Sequence, residues 1–224
     1  MIAVIPTRYR PPELDALLAV LDGDGIEVLL LDSADFDHRI YAGWNRGVRL
    51  ARQMGADTIA ILNDDITILS GTLPIMEHVL LSNPVPFGWV APTWPELAVV
   101  YPDINAEWVS PWGLLPTPEV QRTTGTWAGG GMTGYCFLFR SDLALPQFDE
   151  GYHWWYGDDA FEQGVRDAGY GVGRVVGVPI RHQPDGSASK RWDELQPLVE
   201  EDRARWDAWW QARFKAVTYR KRGE

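Results

Sequence analysis

The stretch NRGVRLARQMGADTIAILNDDITI, residues 45–68, decides the fold. Its front half completes a helix over 41–54, because Trp44, Val48 and Ala51 recur at helical spacing. Gly55 stops that helix. The run TIAIL at 58–62 then has no polar alternation, which is the mark of a strand covered on both faces. It ends abruptly on Asn63-Asp64-Asp65.

The same grammar extends toward the N-terminus. Residues 2–6 form a short buried strand. Pro11 and Pro12 open a helix carrying Leu14, Leu17, Leu18 and Leu21, and Asp22-Gly23-Asp24-Gly25 stops it. A near-continuous apolar strand at 26–31 ends at Asp32-Ser33. Strand, helix, strand, helix, strand implies an α/β fold, a parallel sheet covered by helices. Toward the C-terminus the pattern weakens. Residues 83–126 are rich in Pro and Trp and read as a strand near 88–91 followed by long loops, which are usually functional. Gly129-Gly130-Gly131 adds a flexible segment. Order returns as a strand at 135–140, a helix at 159–168, one or two strands within 171–180, and a Trp-bearing helix at 190–214 with a frayed basic tail at 220–222. There is no internal repeat.

The 224 residues fit one domain, and 20 Lys plus Arg against 31 Asp plus Glu give a net charge of −11. That balance argues against broad nucleic-acid binding and against an anionic membrane surface. A single cysteine, Cys136, excludes an internal disulfide and makes a reducing cytosol the simplest compartment. No signal peptide and no membrane span are expected. Twelve Trp are an excess, and much of that surface is expected to line a cleft.

In an open parallel sheet, ligands bind beyond the carboxyl ends of the strands. Three such ends carry polar clusters: Thr7-Arg8, Asp32-Ser33 and Asn63-Asp64-Asp65. Thr7 and Arg8 suit a phosphate or a base, and Asp32 suits a base or ribose. Adjacent carboxylates repel unless a cation or donors intervene, and oxygen ligands select Mg²⁺ or Mn²⁺. The tripeptide alone reads as a turn; its place after the third strand favours a metal. His182 joins that metal only if its strand lies beside Asp64-Asp65. In FDEGYHWWYGDDAFEQGVRDAGY, residues 148–170, Asp159 and Glu162 have the spacing of a capping box. Asp158, behind Trp154, Trp155 and Tyr156, is then left as a partly desolvated carboxylate suited to general-base work.

From residue 2 to about 190 the chain resembles the family-two-like glycosyltransferases, which have the Rossmann-like GT-A fold. The likeness rests on AVIPTRYRPPELDALLAVL, VLLLDSAD, NRGVRLARQMGADTIAILNDDITI, TGYCFLFRSDL with the Asp158 segment, and VPIRH, in that order and spacing. The resemblance implies one domain over 1–224, with a nucleotide-sugar half at 1–91, an acceptor and catalytic half at 92–189, and a C-terminal helix at 190–224. It implies that Pro6, Thr7, Arg8, Asp32, Asn45, Asn63 and Asp64 hold a nucleotide-sugar donor. Asp65 and His182 would bind Mn²⁺ or Mg²⁺, and Asp158 would be the base of an inverting, metal-assisted transfer to an acceptor hydroxyl. The acceptor, whether glycan, protein, lipid-linked or small molecule, stays open. Two positions depart from the family: Asn63 replaces an aspartate, and Gly157 stands where the family often has Glu, which makes Asp159 a competing base. Two other readings compete. A sugar nucleotidyltransferase usually has a Gly-rich loop after the first strand, which Thr7-Arg8-Tyr9-Arg10 lacks. A carbohydrate-binding module would not need Asp64, Asp65, Asp158 and His182 near one another. A DNA acceptor would need a local patch from Arg203, Arg205 and Arg213.

Overall fold

Side-chain alternation in three neighbouring strands sets the architecture. Ile2, Val4, Ile59, Ile61, Phe137 and Phe139 belong to one buried cluster, and Ala3, Ile5, Ala60, Leu62, Cys136 and Leu138 to another. A strand that buries both sets needs a layer of helices on each face. The computed structural model of the chain describes residues 1–8, 10–37, 39–82, 87–92, 119–122, 134–176, 178, 180–182 and 192–222. In chain order these give β1 (Ile2–Thr7), α1 (Pro12–Gly23), β2 (Glu27–Asp32), α2 (Ile40–Gln53), β3 (Thr58–Leu62), β4 (Ile66–Ile68), α3 (Thr72–Ser82), β5 (Phe87–Pro92), β6 (Glu119–Arg122), β7 (Cys136–Arg140), α4 (Gly157–Asp167), β8 (Gly171–Val176), β9 (Ile180–His182) and α5 (Trp192–Arg222).

The main sheet has the order β2-β1-β3-β7-β5-β8-β6. β1, β2, β3, β5 and β8 run one way, and β6 and β7 run against them. The fold is therefore mixed α/β with a mostly parallel central sheet flanked by helices. α1 and α3 pack on the face that buries Leu14, Leu17, Leu73 and Met76. α2, α4 and α5 pack on the face that buries Trp44, Phe161 and Trp206. α2 lies close against β1, because a Cβ on Gly47 would collide with Val4. The segment between β7 and α4 lacks regular structure but is pinned by Phe148, which stacks on Phe161 at 4.1 Å. Both rings are buried, and each contributes about 1.5–3 kcal/mol.

Several expectations change. β2 is an edge strand rather than a doubly covered one, and its Leu30 is 38% exposed. α3 and β4 were not anticipated: three-residue β4 is too short to show a period, and α3 is apolar nearly all round. β6 lies inside the span read as loop. α5 continues to Arg222 through the tail expected to fray. α4 starts two residues early, at Gly157, with Tyr156 at its cap position. Asp159 is thus the third helical residue and not a cap, and Glu162 instead meets Arg166 at 2.6 Å. The glycine run 129–131, most of the Trp-rich 83–126 segment and the turn after His182 lie outside the described residues. Among the described residues no helix is long and apolar enough to cross a membrane.

Candidate functional site

The parallel register brings the polar strand ends together. Thr7 is the partner of Asp32 across β1 and β2, and β3 flanks β1 on its other side. The start of antiparallel β7 lies at the same edge, since Leu62 pairs with Cys136 and the Asn63 N–H donates to the Tyr135 carbonyl at 2.8 Å. The chain then turns at 63–65 into β4, whose antiparallel partner is β9. In that register Ile66 faces His182, which places His182 beside Asp65.

The contacts follow from this placement. His182 Nε2 lies 3.1 Å from Asp65 Oδ1, and its ring stacks flat on Tyr135 at 4.9 Å and 5°. Thr7 donates its hydroxyl to Asp64 Oδ2 at 2.7 Å. Burial pushes the Asp64 carboxyl up; Thr7 opposes this and neighbouring Asp65 adds to it. Asn63 Oδ1 is buried with no hydrogen-bond partner among the described residues, and Asp65 Oδ1, also buried, has His182 Nε2 as its neighbour. A buried polar atom left unpaired is costly, so Asn63 Oδ1 is disposed to accept a cation. Among the described residues no three of His, Cys, Asp and Glu form a ready metal cage. A partial shell suits a hard cation that keeps waters or takes ligand phosphates.

The second element is the turn into α4. Tyr156 has a left-handed backbone, φ 65°, which costs a bulky residue on the order of 1–3 kcal/mol. Tyr41, buried in α2, accepts the Gly157 N–H at 3.0 Å and donates to the Trp154 carbonyl at 3.1 Å. Burial, with the nearby Asp158 charge second, raises the Tyr41 phenol well above its ordinary range. A Cβ on Gly157 would enter the Tyr41 ring. The family departure at 157 therefore has a steric cause: no side chain fits there. Asp158 is half-buried, and burial pushes its carboxyl up to about 6 against the opposing pull of backbone N–H groups at the helix start and at Gly134.

A dipeptide joins the two elements. Tyr135 touches His182 and Asn63, while Gly134 lies so close to Asp158 that a Cβ there would collide with its Oδ2. Asp64, Asp65, His182 and Asp158 are thus gathered along one edge rather than scattered.

Other expected residues fare differently. Asp32 is exposed, and its carboxylate accepts the Ala34 N–H at 2.9 Å, capping a short 3-10 turn at the crevice. Pro6 is buried beside α2, close to Gly43. The Arg8 N–H is among the groups that lower the Asp64 pKa. Asn45 is a correction. Its amide donates to the Phe148 carbonyl and Glu150 Oε1 and accepts the Phe148 N–H, so it ties α2 to 148–150 and has no N–H left for a donor. The arginine patch is partly neutralised: Arg205 and Arg213 pair with Asp149 and Asp167, whereas Arg203 donates to the neutral Tyr156 hydroxyl. Tyr41, Gly134, Tyr135 and Asp202 were missed. For Asp202 the signal was present: Leu195, Val199, Asp202 and Trp206 form one buried stripe, with an acid on an apolar face.

No family model and no curated protein matches the chain. Solved structures do. Over 91% of this chain and 75% of the other, it is similar to glucosyl-3-phosphoglycerate synthase from Mycobacterium tuberculosis in complex with Mn²⁺, UDP and phosphoglyceric acid, at TM-score 0.51 and 12% identity. The same synthase with Mg²⁺ and UDP matches over 91% and 76%, at TM-score 0.50 and 12% identity. A197 from STIV matches over 82% of this chain and 85% of its own, at TM-score 0.51 and 12% identity. At this identity the likeness establishes the fold, which agrees with the one implied by the sequence resemblance.

Proposed function

We propose that the chain transfers a sugar from a nucleoside diphosphate donor to an acceptor hydroxyl, with inversion and with a divalent cation. One observation carries this reading: the 134–135 dipeptide joins the Asp64-Asp65-His182 cluster to the elevated carboxylate of Asp158. A carbohydrate-binding module has no need of that junction. The fold shared with a synthase solved with UDP and Mn²⁺ or Mg²⁺ supports it. In this reading residues 1–91 hold the donor and residues 92–189 take the acceptor.

Asp65, His182 and Asn63 fit a hard divalent cation, because Asn63 Oδ1 is buried without a hydrogen-bond partner among the described residues and Asp65 Oδ1 and His182 Nε2 converge to 3.1 Å beside it. Asn63 would contribute a neutral oxygen where a carboxylate is usual. When bound, Mn²⁺ or Mg²⁺ supplies positive charge to a diphosphate leaving group. The chain's own groups do the rest. Thr7 orients Asp64, and Thr7, Arg8 and Asp32 hold the nucleotide at the ends of β1 and β2. Asp158 takes the proton of the acceptor hydroxyl as its oxygen attacks the anomeric carbon. The carbon–oxygen bond to the diphosphate breaks on the opposite face, and a single displacement inverts the centre. A pKa near neutrality suits this base, since it is ionised at working pH yet still basic.

The test is thermal melting with UDP, and with the other nucleoside diphosphates, in Mn²⁺ or in chelator. A ligand at about 100 times its Kd stabilises by about 2.7 kcal/mol. Stabilisation that needs both Mn²⁺ and a nucleotide, and that Asp65→Ala removes, is the expected result. No shift with any nucleotide overturns the donor assignment.

A further inference from the structure

Asp202 lies beyond the span of the family likeness, yet it is among the most enclosed polar groups described, 1% exposed on the apolar stripe of α5. It faces the backbone of the turn that precedes Asp158. Its Oδ1 accepts the His153 N–H at 2.8 Å, and its Oδ2 accepts the Trp154 and Trp155 N–H groups at 2.8 and 2.9 Å. Neighbours on α5 extend the grip. Glu201 pairs with the His153 ring at 3.3 Å, Arg203 donates to the Tyr156 hydroxyl at 3.2 Å, and Trp206 stacks on the Tyr156 ring at 6.0 Å. Four consecutive residues, 153–156, are therefore held by one helix, and the last of them carries the left-handed φ of 65°. A strained conformation persists only where its surroundings over-determine it. Tyr41 then fixes the next residue, Gly157, and Asp158 follows directly.

We infer that Asp202 is a positioning residue: by accepting three consecutive backbone N–H groups it makes the C-terminal helix set the turn that aims Asp158. The catalytic part of this inference rests on the transferase reading; the structural part does not. A carboxylate is required for a geometric reason. Two oxygens serve three donors, and the amide of Asn has one acceptor, so its NH₂ would meet an N–H wherever it pointed. Asp202 does not touch the reacting atoms, and its effect passes through 153–157.

The experiment uses the full chain and three variants. Asp202→Asn removes the second acceptor. Val199→Ala loosens the same stripe of α5 without touching the carboxylate. Should Asp202→Asn not fold, Asp202→Glu, which keeps two oxygens on a longer arm, is read in its place. Amide hydrogen exchange is followed across 152–160, and UDP release from UDP-glucose with Mn²⁺ is followed with water as acceptor. The Asp202 variant should raise exchange at 153–158 at least tenfold over Val199→Ala. It should lower kcat by about 10², the effect of a displacement near 1 Å, with the KM for UDP-glucose unchanged. Wild-type exchange at 153–158, or an equal rise in Val199→Ala, overturns the inference. So does a normal kcat in a variant whose turn has opened. If the wild type binds no nucleoside diphosphate and releases none from any nucleotide sugar, the transferase reading fails, and the exchange result still decides whether Asp202 holds the turn.

Discussion

Gly134→Ala moves the proposed base without altering its chemistry. The added Cβ would lie 2.9 Å from Asp158 Cγ and 3.0 Å from Asp158 Cβ, and would overlap Oδ2 outright. A rotamer change of Asp158 relieves the oxygen but not its Cβ, which the helix backbone fixes. Either the 134–135 dipeptide or the first turn of α4 must shift by several tenths of an ångström to about 1 Å. Misplacement on that scale costs roughly 10² in rate, or about 2.7 kcal/mol of transition-state stabilisation. Gly134 is not among the glycines with positive φ, so Ala brings no added backbone strain there. The proposed donor contacts at Thr7, Arg8 and Asp32 lie on other elements and should survive. The assay pairs nucleoside diphosphate release from the nucleotide sugar that the melting test selects with calorimetric titration of that diphosphate in Mn²⁺. The expected variant binds the diphosphate normally and turns over about 10²-fold more slowly. Full turnover would refute the idea that the position of Asp158 against Gly134 governs the reaction. Equal loss of binding and turnover would place Gly134 in the donor site instead.

Further outcomes follow from the same geometry. Asp158→Asn keeps the shape and removes the basicity, so kcat should fall by roughly 10²–10⁴ with UDP affinity intact, as single-turnover kinetics would report. The same variant should be the more stable protein at neutral pH. The folded pKa of Asp158, about 6, lies above its unfolded value, so its stabilising contribution is present at low pH and lost as pH rises through 6. Melts at pH 7.5 should favour Asn by an amount on the order of 1–3 kcal/mol, and the gap should close near pH ~4. For the wild type, kcat/KM should climb about tenfold per pH unit below the Asp158 pKa of about 6 and level above it; a flat profile from ~4.5 to ~8 removes Asp158 as the base. Gly157→Ala should lose stability by about 1–3 kcal/mol in denaturant titrations, since its methyl would enter the Tyr41 ring; Tyr41→Phe should not relieve that clash.

The alternation of strands and helices through residue 62 was legible because each element is long enough to show its period. Helices near 12–23 and 40–53 appear where Leu14, Leu17 and Leu21, and then Trp44, Val48 and Ala51, line one face. The strand-end cluster was legible too, because parallel strands carry their polar ends to one edge. His182 was legible only as a condition. No local pattern says that three-residue β9 pairs with three-residue β4, and that register is what sets His182 against Asp65. Pairings of this kind are decided by tertiary closure. Asn45 shows the converse failure, for a polar residue in an otherwise apolar helix face read as a ligand contact became a backbone tie between distant segments.

The choice between Asp158 and Asp159 turns on the same distinction. In the sequence the two acids are equivalent neighbours, and the 159–162 spacing assigns the cap to the second. In the fold the helix begins earlier, because Tyr41 captures the Gly157 N–H and its ring excludes any side chain at 157. That capture rotates the numbering of the first turn by two residues. Asp158 then rests against Gly134, in the dipeptide that also carries Tyr135 and the His182 stack. In the proposed mechanism the base faces the acceptor hydroxyl, on the side of the anomeric carbon away from the leaving phosphate, and must be shielded enough to stay basic. Contact with Gly134 ties Asp158 to the dipeptide beside the strand-end cluster, and burial supplies the shielding. Both depend on two glycines and a buried tyrosine, none of which carries a chemical signature in the sequence. The acid proposed as the base is therefore distinguished by its inert neighbours rather than by its own position in an acidic pair.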